Sequence, residues 1–143
     1  MKIFYYFSDD VEEIRIAPKY KRIVREIEKK EKQRIGEICF IFVSAKHIEI
    51  LNRDFLSHDY VTDVITFVRG KKLIRSGDVY ICPERVLANA DEMKIDKEIE
   101  MIRVMIHGIL HLLGYTDTNA DEVTNMRRKE DYYLKMYQQL PVK

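Results

Sequence analysis

The chain has 143 residues, of which 46% are hydrophobic and 34% are charged. This length and composition predict one folded domain covering residues 1–143 and argue against a disordered or fibrous chain. The 25 lysines and arginines nearly balance the 24 aspartates and glutamates, so the net charge of +1 offers no global argument for nucleic-acid binding.

The first half of the chain is predicted to alternate strands and helices. Short apolar and aromatic runs indicate strands, and the spacing of Tyr20, Ile23 and Ile27 indicates an amphipathic helix. The run ICFIFVS at 38–44 is almost continuously apolar, which predicts a central strand buried on both faces. The expected elements are a strand at 3–7, a helix at 18–34 that ends before Gly36, a strand at 38–44, a helix that Ser44 can cap and that runs to about Leu56, and strands at 61–68 and 77–82 joined by a loop at 69–75.

The second half is predicted to be helical. Pro83 opens a short helix, and Asp96 is a suitable N-cap for a second helix that runs to Leu113. This second helix is apolar almost all round, which indicates burial in the core. A last helix is expected to begin near Asn119 or Asp121. Four strands and about five helices predict an α+β domain with a small sheet.

The two cysteines, Cys39 and Cys82, form no CxxC pair, which argues against a disulfide framework and a cysteine-rich zinc module. The apolar run at 3–7 is too short for the core of a signal peptide, and no apolar stretch approaches the length of a membrane span. We therefore expect a cytoplasmic protein without a membrane partner.

One polar stripe runs along the otherwise apolar helix that ends at Leu113. Arg103, His107 and His111 are spaced by four residues and therefore lie on one face. Histidines at i and i+4 can direct ring nitrogens to a common metal ion without distorting a helix. Gly114 can adopt the left-handed conformation that ends a helix, and this turn would bring Asp117 to the same point. Two imidazoles and one carboxylate form the donor set of an open, catalytic zinc site.

The alternative is that both histidines only satisfy hydrogen bonds inside the core. Burying them without partners would cost about 1 to 3 kcal/mol each, so their spacing beside a glycine and an aspartate favours a metal. Metalloproteases with a comparable HExxH pattern have a glutamate after the first histidine, where this chain has Gly108. This difference argues against peptide hydrolysis.

Several motifs occur in the same order as in one known family. The segment HGILHLLGYTD at 107–117 resembles the signature HGxLHLxGYDH of the YbeY family of metal-dependent endoribonucleases. Upstream, LNRDF at 51–55, TDVITF at 62–67 and GDVYI at 77–81 resemble further family motifs. The similarity spans the chain from about residue 51 to residue 133 in collinear order.

This resemblance implies a mixed α+β fold with a small, four-stranded sheet and a zinc-dependent single-strand endoribonuclease of ribosomal RNA maturation and ribosome quality control. It implies one Zn²⁺ ion held by His107, His111 and Asp117, with another divalent metal as the alternative. The implied partners are ribosomal RNA and the small ribosomal subunit, with a ribosome-assembly GTPase or a small-subunit protein as further candidates.

The chain departs from the family pattern in two places. Asp117 stands where the family usually has a third histidine, and Thr116 stands where it has an aspartate. A carboxylate can complete a zinc site, but its negative charge is expected to slow the reaction at neutral pH. Leu56 stands where most members carry an arginine thought to engage phosphate.

The groups that handle the proton and the phosphate are less defined. Asp63, Asp78 and Tyr115 are candidates for acid–base or supporting roles, although hydrogen bonding in turns or caps explains the two aspartates equally well. The basic clusters at 19–34 and 69–75 fit either a phosphate-tracking surface or solvated surface charge. The RNA-binding candidates are Arg53, Arg69, Lys71, Lys72 and Arg103.

Two other functions fit the same residues. One is a ribosome-associated RNA-binding or maturation factor with little catalytic activity. The other is a metal-dependent hydrolase that acts on a different substrate.

Overall fold

The computed structural model of the protein describes residues 1–56, 62–70 and 73–142. Within these ranges the chain forms four strands and five helices, which confirms the predicted α+β class. In chain order they are β1 (Lys2–Phe7), α1 (Lys19–Glu31), β2 (Arg34–Phe42), α2 (Ala45–Leu56), β3 (Val64–Arg69), β4 (Ile74–Ile81), α3 (Pro83–Met93), α4 (Lys97–Leu112) and α5 (Ala120–Gln139).

The four strands form one mixed sheet in the order β1-β2-β4-β3. Strand β2 pairs in parallel with both β1 and β4, whereas β3 is antiparallel to β4. Ile38, Phe40 and Phe42 of β2 are fully buried. The central position predicted for this strand is therefore confirmed, whereas the predicted burial of both faces is wrong in part, because Cys39 and Ile41 on the other face are only partly buried.

The junction between α1 and β2 differs from the prediction, which extended the helix to Arg34 and placed its end before Gly36. The helix ends at Glu31, and Lys32 takes the left-handed conformation with a φ of 54°. Gly36 lies inside β2, where a Cβ atom would come within 2.7 Å of Ile74 Cγ2. Glycine is required there by the close approach of β4 and not by a helix end.

The bounds of two other strands also shift. Strand β3 begins at Val64, whereas the prediction began at Val61, which lies outside the described residues. Strand β4 begins at Ile74, three residues before the predicted start at Gly77. The connection between the two strands is therefore shorter than the loop predicted at 69–75.

Helix α4 lies against one face of the sheet and is buried, as predicted. Its N-cap is Asp96, whose side chain accepts hydrogen bonds from the backbone N–H groups of Glu98 and Ile99. Gly108 allows the helix to approach β4, since a Cβ atom there would lie 2.6 Å from Val79 Cγ1. Helices α1, α3 and α5 also contact α4. Beyond the exposed first turn of α4, its accessible residues are those of the polar stripe.

Helix α2 covers part of the opposite face of the sheet. Ile48 of this helix belongs to a second buried cluster with Val43, Ile65 and Cys82. Ser44 precedes the helix, and its hydroxyl accepts the His47 N–H at 3.3 Å, as its predicted capping role requires. The sheet is therefore enclosed mainly by α4 on one side and partly by α2 on the other.

Candidate metal centre

The end of α4 turns the chain back towards its own histidines. The N–H of Gly114 donates to the carbonyl of His111, and the N–H of Tyr115 donates to the carbonyl of Leu110, both at 3.0 Å. These two bonds form a Schellman turn, in which Gly114 takes a φ of +105°, a backbone conformation that residues with a Cβ atom rarely adopt. The turn is the predicted one, and it carries Asp117 to the polar face of α4.

His107, His111 and Asp117 converge on one point. Nε2 of His107 lies 3.6 Å from Oδ2 of Asp117, and Nε2 of His111 lies 3.5 Å from the same oxygen. One ligand atom from each side chain lies within 4.8 Å of the other two. The side chains of His107 and His111 are 20% and 26% exposed, so this point opens towards solvent.

The other ring nitrogen of each histidine is already engaged. Nδ1 of His107 lies 2.6 Å from Oε2 of Glu130, and Nδ1 of His111 lies 2.9 Å from the carbonyl oxygen of Tyr115. A carbonyl and a carboxylate oxygen can only accept, so both Nδ1 atoms carry the proton and donate. In the neutral imidazoles both Nε2 lone pairs then lie beside Asp117. This donor set fits a zinc ion.

The electrostatic surroundings of the two histidines differ. Burial lowers the pKa of His107, but the hydrogen bond to Glu130 and the negative charge of that carboxylate outweigh it, and the pKa is raised. Burial and the positive charge of a protonated His107 lower the pKa of His111. His111 is therefore neutral near pH 7, in the form that can bind a metal.

Glu130 of α5 belongs to a buried network of charges beneath the histidines. Its Oε1 lies 3.4 Å from Nη1 of Arg103, and the same Nη1 lies 2.8 Å from Asp131. Nε of Arg103 lies 3.3 Å from Oε1 of Glu100, a buried carboxylate whose pKa is raised, chiefly by burial. Arg103 is thus held among three carboxylates.

A second carboxylate, Glu31 at the end of α1, anchors the turn that follows α4. It accepts hydrogen bonds from the hydroxyls of Tyr115 and Tyr133, and it lies 3.0 Å from Nζ of Lys129. Burial alone would raise the pKa of Glu31, but these three donors lower it. Because the carbonyl of Tyr115 receives the Nδ1–H of His111, Glu31 supports that imidazole through Tyr115.

The three converging side chains line a cavity of about 710 Å³. Among its described lining residues, the arginines are Arg103 and Arg127. The side chain of Arg127 is 57% exposed and lies 3.8 Å from Glu130, so it is less constrained than Arg103. Leu56, at the position of the family arginine, also lines the cavity and offers no charge there. Arg127 is therefore the arginine best placed to meet an anionic ligand.

The three acid–base candidates from the sequence lie in different surroundings. Asp63 lines the cavity. Tyr115 also lines it, but its hydroxyl donates to Glu31, and burial together with this hydrogen bond raises the pKa of Tyr115. Asp78 follows Gly77, which contacts α4, so strand alternation places Asp78 on the opposite face of the sheet.

The five RNA-binding candidates are also dispersed. Arg103 lines the cavity, whereas Arg53 and Arg69 are not among its lining residues. Arg53 is exposed on α2, and Arg69 is paired with carboxylates on the sheet face opposite α4. Lys71 and Lys72 lie outside the described residues.

The side chains at this site that were not predicted from the sequence include Glu31, Arg127 and Glu130. Glu130 did leave a signal, since it falls between Met126 and Tyr133 at helical spacing on the buried face of α5. A carboxylate on an apolar stripe indicates a buried polar partner. Glu31 and Arg127 sit among other charged residues of their helices, and their roles depend on contacts that are distant in sequence.

Comparison with known proteins assigns the chain to a family. A family model for endoribonuclease YbeY matches residues 6–138. A curated relative from Cytophaga hutchinsonii, an endoribonuclease YbeY, is 40% identical over 138 residues and covers 94% of both chains. Another from Flavobacterium psychrophilum is 43% identical over 126 residues, covering 87% of this chain and 89% of the relative. The chain belongs to the endoribonuclease YbeY family.

A solved structure has a similar fold. The solution structure of TM1509 from Thermotoga maritima superposes with a TM-score of 0.61 at 31% sequence identity. The match covers 94% of this chain and 88% of that chain. The range matched by the YbeY family model includes the histidines of α4, the turn that carries Asp117, and the supporting carboxylates on α1 and α5.

Proposed function

We propose that the chain is a zinc-dependent single-strand endoribonuclease that acts in ribosomal RNA maturation and ribosome quality control. Family membership supports RNA cleavage, since the curated relatives carry the name endoribonuclease. The observation that carries the proposal is the convergence of His107, His111 and Asp117 in a cavity that also holds an exposed arginine.

The proposed zinc ligands are Nε2 of His107, Nε2 of His111 and a carboxylate oxygen of Asp117. When bound there, zinc supplies a Lewis acid for a phosphoryl oxygen and lowers the pKa of a water molecule. The protein supplies the orientation. Glu130 and the carbonyl of Tyr115 hold the two rings by their Nδ1–H groups, so both rings present Nε2 without a change of rotamer.

Arg127 is the proposed contact to the scissile phosphate. Negative charge develops on the phosphoryl oxygens as a nucleophile adds, and a nearby guanidinium stabilises it. Arg103 is less suited to this task because it already faces Glu100, Glu130 and Asp131. Its role is to balance the buried carboxylate that holds His107.

Asp63 is the proposed acid–base group. It lines the cavity just before β3, so a substrate bound in the cavity would lie beside it. Tyr115 is disfavoured because its hydroxyl donates to Glu31 and its pKa is raised. Asp78 is disfavoured because it lies on the other face of the sheet.

The cellular part of the proposal follows the family. The proposed substrate is ribosomal RNA. The proposed partners are the small ribosomal subunit and, as further candidates, a ribosome-assembly GTPase or a small-subunit protein, in the cytoplasm. No helix among residues 1–56, 62–70 and 73–142 combines the length and hydropathy that a membrane span requires.

Metal analysis of the purified protein tests the site. We expect one zinc ion per chain in the wild type and in His47→Ala, which removes an exposed histidine of α2. His107→Ala and Asp117→Ala should lose the ion or bind it at least about tenfold more weakly. Full retention of zinc by both of these variants would contradict the assignment of His107 and Asp117 as zinc ligands.

Incubation of the zinc-loaded protein with single-stranded RNA tests the reaction. The wild type should cleave, and His111→Ala, purified in parallel, should not. Equal cleavage by both would indicate a contaminating nuclease and favour an RNA-binding factor. A zinc-loaded wild type that cleaves no single-stranded RNA would favour a hydrolase of another substrate.

A further inference from the structure

A second groove, of about 510 Å³, lies where the junction between α1 and β2 meets the start of β4. Among the six described residues that line it, three are cationic and none is acidic. Two of the others are apolar and reach far into solvent, at 85% and 42% exposure. The six are Lys32, Gln33, Arg34, Leu73, Ile74 and Arg75.

The acidic residues nearest in sequence are not among the described lining residues, and each is held by other groups. Glu28 accepts the backbone N–H of Ile35 at 2.7 Å. Glu31 accepts two tyrosine hydroxyls and an ammonium group at the turn after α4. Glu37 is paired with Arg69 on the sheet face opposite α4. Within the described part of the lining, the positive charge of the groove is therefore not balanced by a carboxylate.

One side chain joins this groove to the metal centre. Gln33 lines the groove, and its Nε2 donates to the carbonyl oxygen of Leu113 at 3.0 Å. Leu113 immediately precedes Gly114, which lines the cavity of the proposed metal site. Arg75 donates to Oε1 of Gln33, also at 3.0 Å, which fixes the amide between the two sites. The groove and the cavity thus lie on two sides of the same turn.

We propose that this groove binds the sugar-phosphate backbone of single-stranded RNA next to the cleavage point, with Lys32 and Arg34 contacting phosphates. The inference rests on the proposed function, because the chemistry of the groove suits a polyanion and its neighbour is the proposed nuclease site. Leu73 and Ile74 offer apolar surface to a base, but no aromatic side chain for stacking is found among the lining residues that the structure describes. Binding is therefore electrostatic, independent of sequence and dependent on salt.

The test compares two double variants of the metal-free protein. Lys32→Gln/Arg34→Gln removes two groove charges. Lys94→Gln/Arg15→Gln removes two charges elsewhere, and Lys94 matches Lys32 in being an exposed lysine with positive φ after a helix. Binding of a labelled 12-nucleotide single-stranded RNA is measured by fluorescence anisotropy across a salt series.

The groove variant should bind the RNA about tenfold more weakly at low salt. Its slope of log K against log salt should be shallower by about 1.4, since each lost phosphate contact on a single strand removes about 0.7. The control double variant should match the wild type. A charge-conserving double variant, Lys32→Arg/Arg34→Lys, should also match it. The proposal would be overturned if the groove variant kept the affinity and salt slope of the wild type. It would also be overturned if the control or the charge-conserving variant lost as much RNA affinity as the groove variant.

Cleavage of a dinucleotide by the zinc-loaded proteins separates this proposal from the proposed function. A dinucleotide has a single phosphate, which cannot occupy the groove and the metal centre at once. The groove variant should therefore cleave the dinucleotide as the wild type does. If the groove variant lost dinucleotide cleavage while the control variant kept it, the proposal that the groove is separate from the cleavage site would be overturned. A wild type that cleaves no RNA would contradict the nuclease function, while the anisotropy result would still decide whether the groove binds RNA.

Discussion

Oε2 of Glu130 lies 2.6 Å from Nδ1 of His107, which joins α5 to the first proposed metal ligand across 23 positions of sequence. The same carboxylate faces Arg103, so its charge is balanced inside the protein. By accepting the Nδ1–H of His107, the buried carboxylate of Glu130 raises the basicity of this imidazole and keeps the proton on Nδ1. The orientation of His107 therefore depends on a helix that supplies no proposed metal ligand itself.

Glu130→Gln should weaken zinc binding by about 10- to 100-fold, because the amide keeps the shape of the side chain but loses its charge. Asp121→Asn removes a charge from an exposed position of the same helix and should bind zinc as the wild type does. Competition with a chromophoric chelator measures both affinities. Equal affinities for Glu130→Gln and the wild type would show that His107 does not need this support.

Arg127→Gln should lower kcat/KM for single-stranded RNA about tenfold, equivalent to about 1.4 kcal/mol, because the proposed phosphate contact is lost. Its zinc content should not change. Arg128→Gln is the matched control, since this neighbouring arginine is exposed and is not among the residues that line the cavity. Similar losses in the two variants would mean that Arg127 contributes only general positive charge.

Asp117→His should move the pH dependence of cleavage. A carboxylate ligand reduces the net charge of a zinc site, which leaves the pKa of its water higher than three neutral imidazoles would. The midpoint at which kcat/KM rises should therefore shift to lower pH in Asp117→His, by about one pH unit. An Asp121→His variant should keep the wild-type profile. An unchanged or higher midpoint in Asp117→His would contradict the effect assigned to the carboxylate.

Much of the fold follows from local pattern. The apolar run around Phe40 predicts a central strand, and Asp96 and Gly114 mark the two ends of α4 through chemistry that acts within a few residues. The end of α1 was predicted incorrectly because Gly36 suggested a helix cap. The glycine is instead required by the side chain of Ile74, which is distant in sequence.

The candidate site also has one part that local sequence pattern predicts and another part that it does not. The convergence of His107, His111 and Asp117 could be predicted because helical spacing and one glycine turn bring them together. Glu31 could not be found by such reasoning, since its contacts with Tyr115 and Tyr133 exist only after α1 and α5 have packed.

Glu31→Gln should reduce stability in a pH-dependent way. The folded protein lowers the pKa of this carboxyl, so its stabilising contribution is present above the unfolded value of about 4.3 and is lost as pH falls through the folded pKa. At pH 7 the variant should lose about 2 kcal/mol of unfolding free energy, a typical value for buried hydrogen bonds to a charged group.

Chemical denaturation at pH 7 and at about pH 3 checks this expectation. The difference between Glu31→Gln and the wild type should shrink at the lower pH. Glu26→Gln, on the same helix, is the control and should change stability little at either pH. A deficit of Glu31→Gln that is the same at both pH values would mean that the carboxylate charge is not what stabilises the turn.

The dependence of RNA cleavage on the His107–His111–Asp117 site is tested most directly by zinc titration. Metal-free protein is titrated with zinc while the rate of cleavage of single-stranded RNA is followed. The rate should rise from near zero and reach its plateau at one zinc ion per chain, and His111→Ala should show no such rise. Cleavage by the metal-free wild type at the full rate, or an identical response in His111→Ala, would contradict the assignment of this site as the catalytic centre.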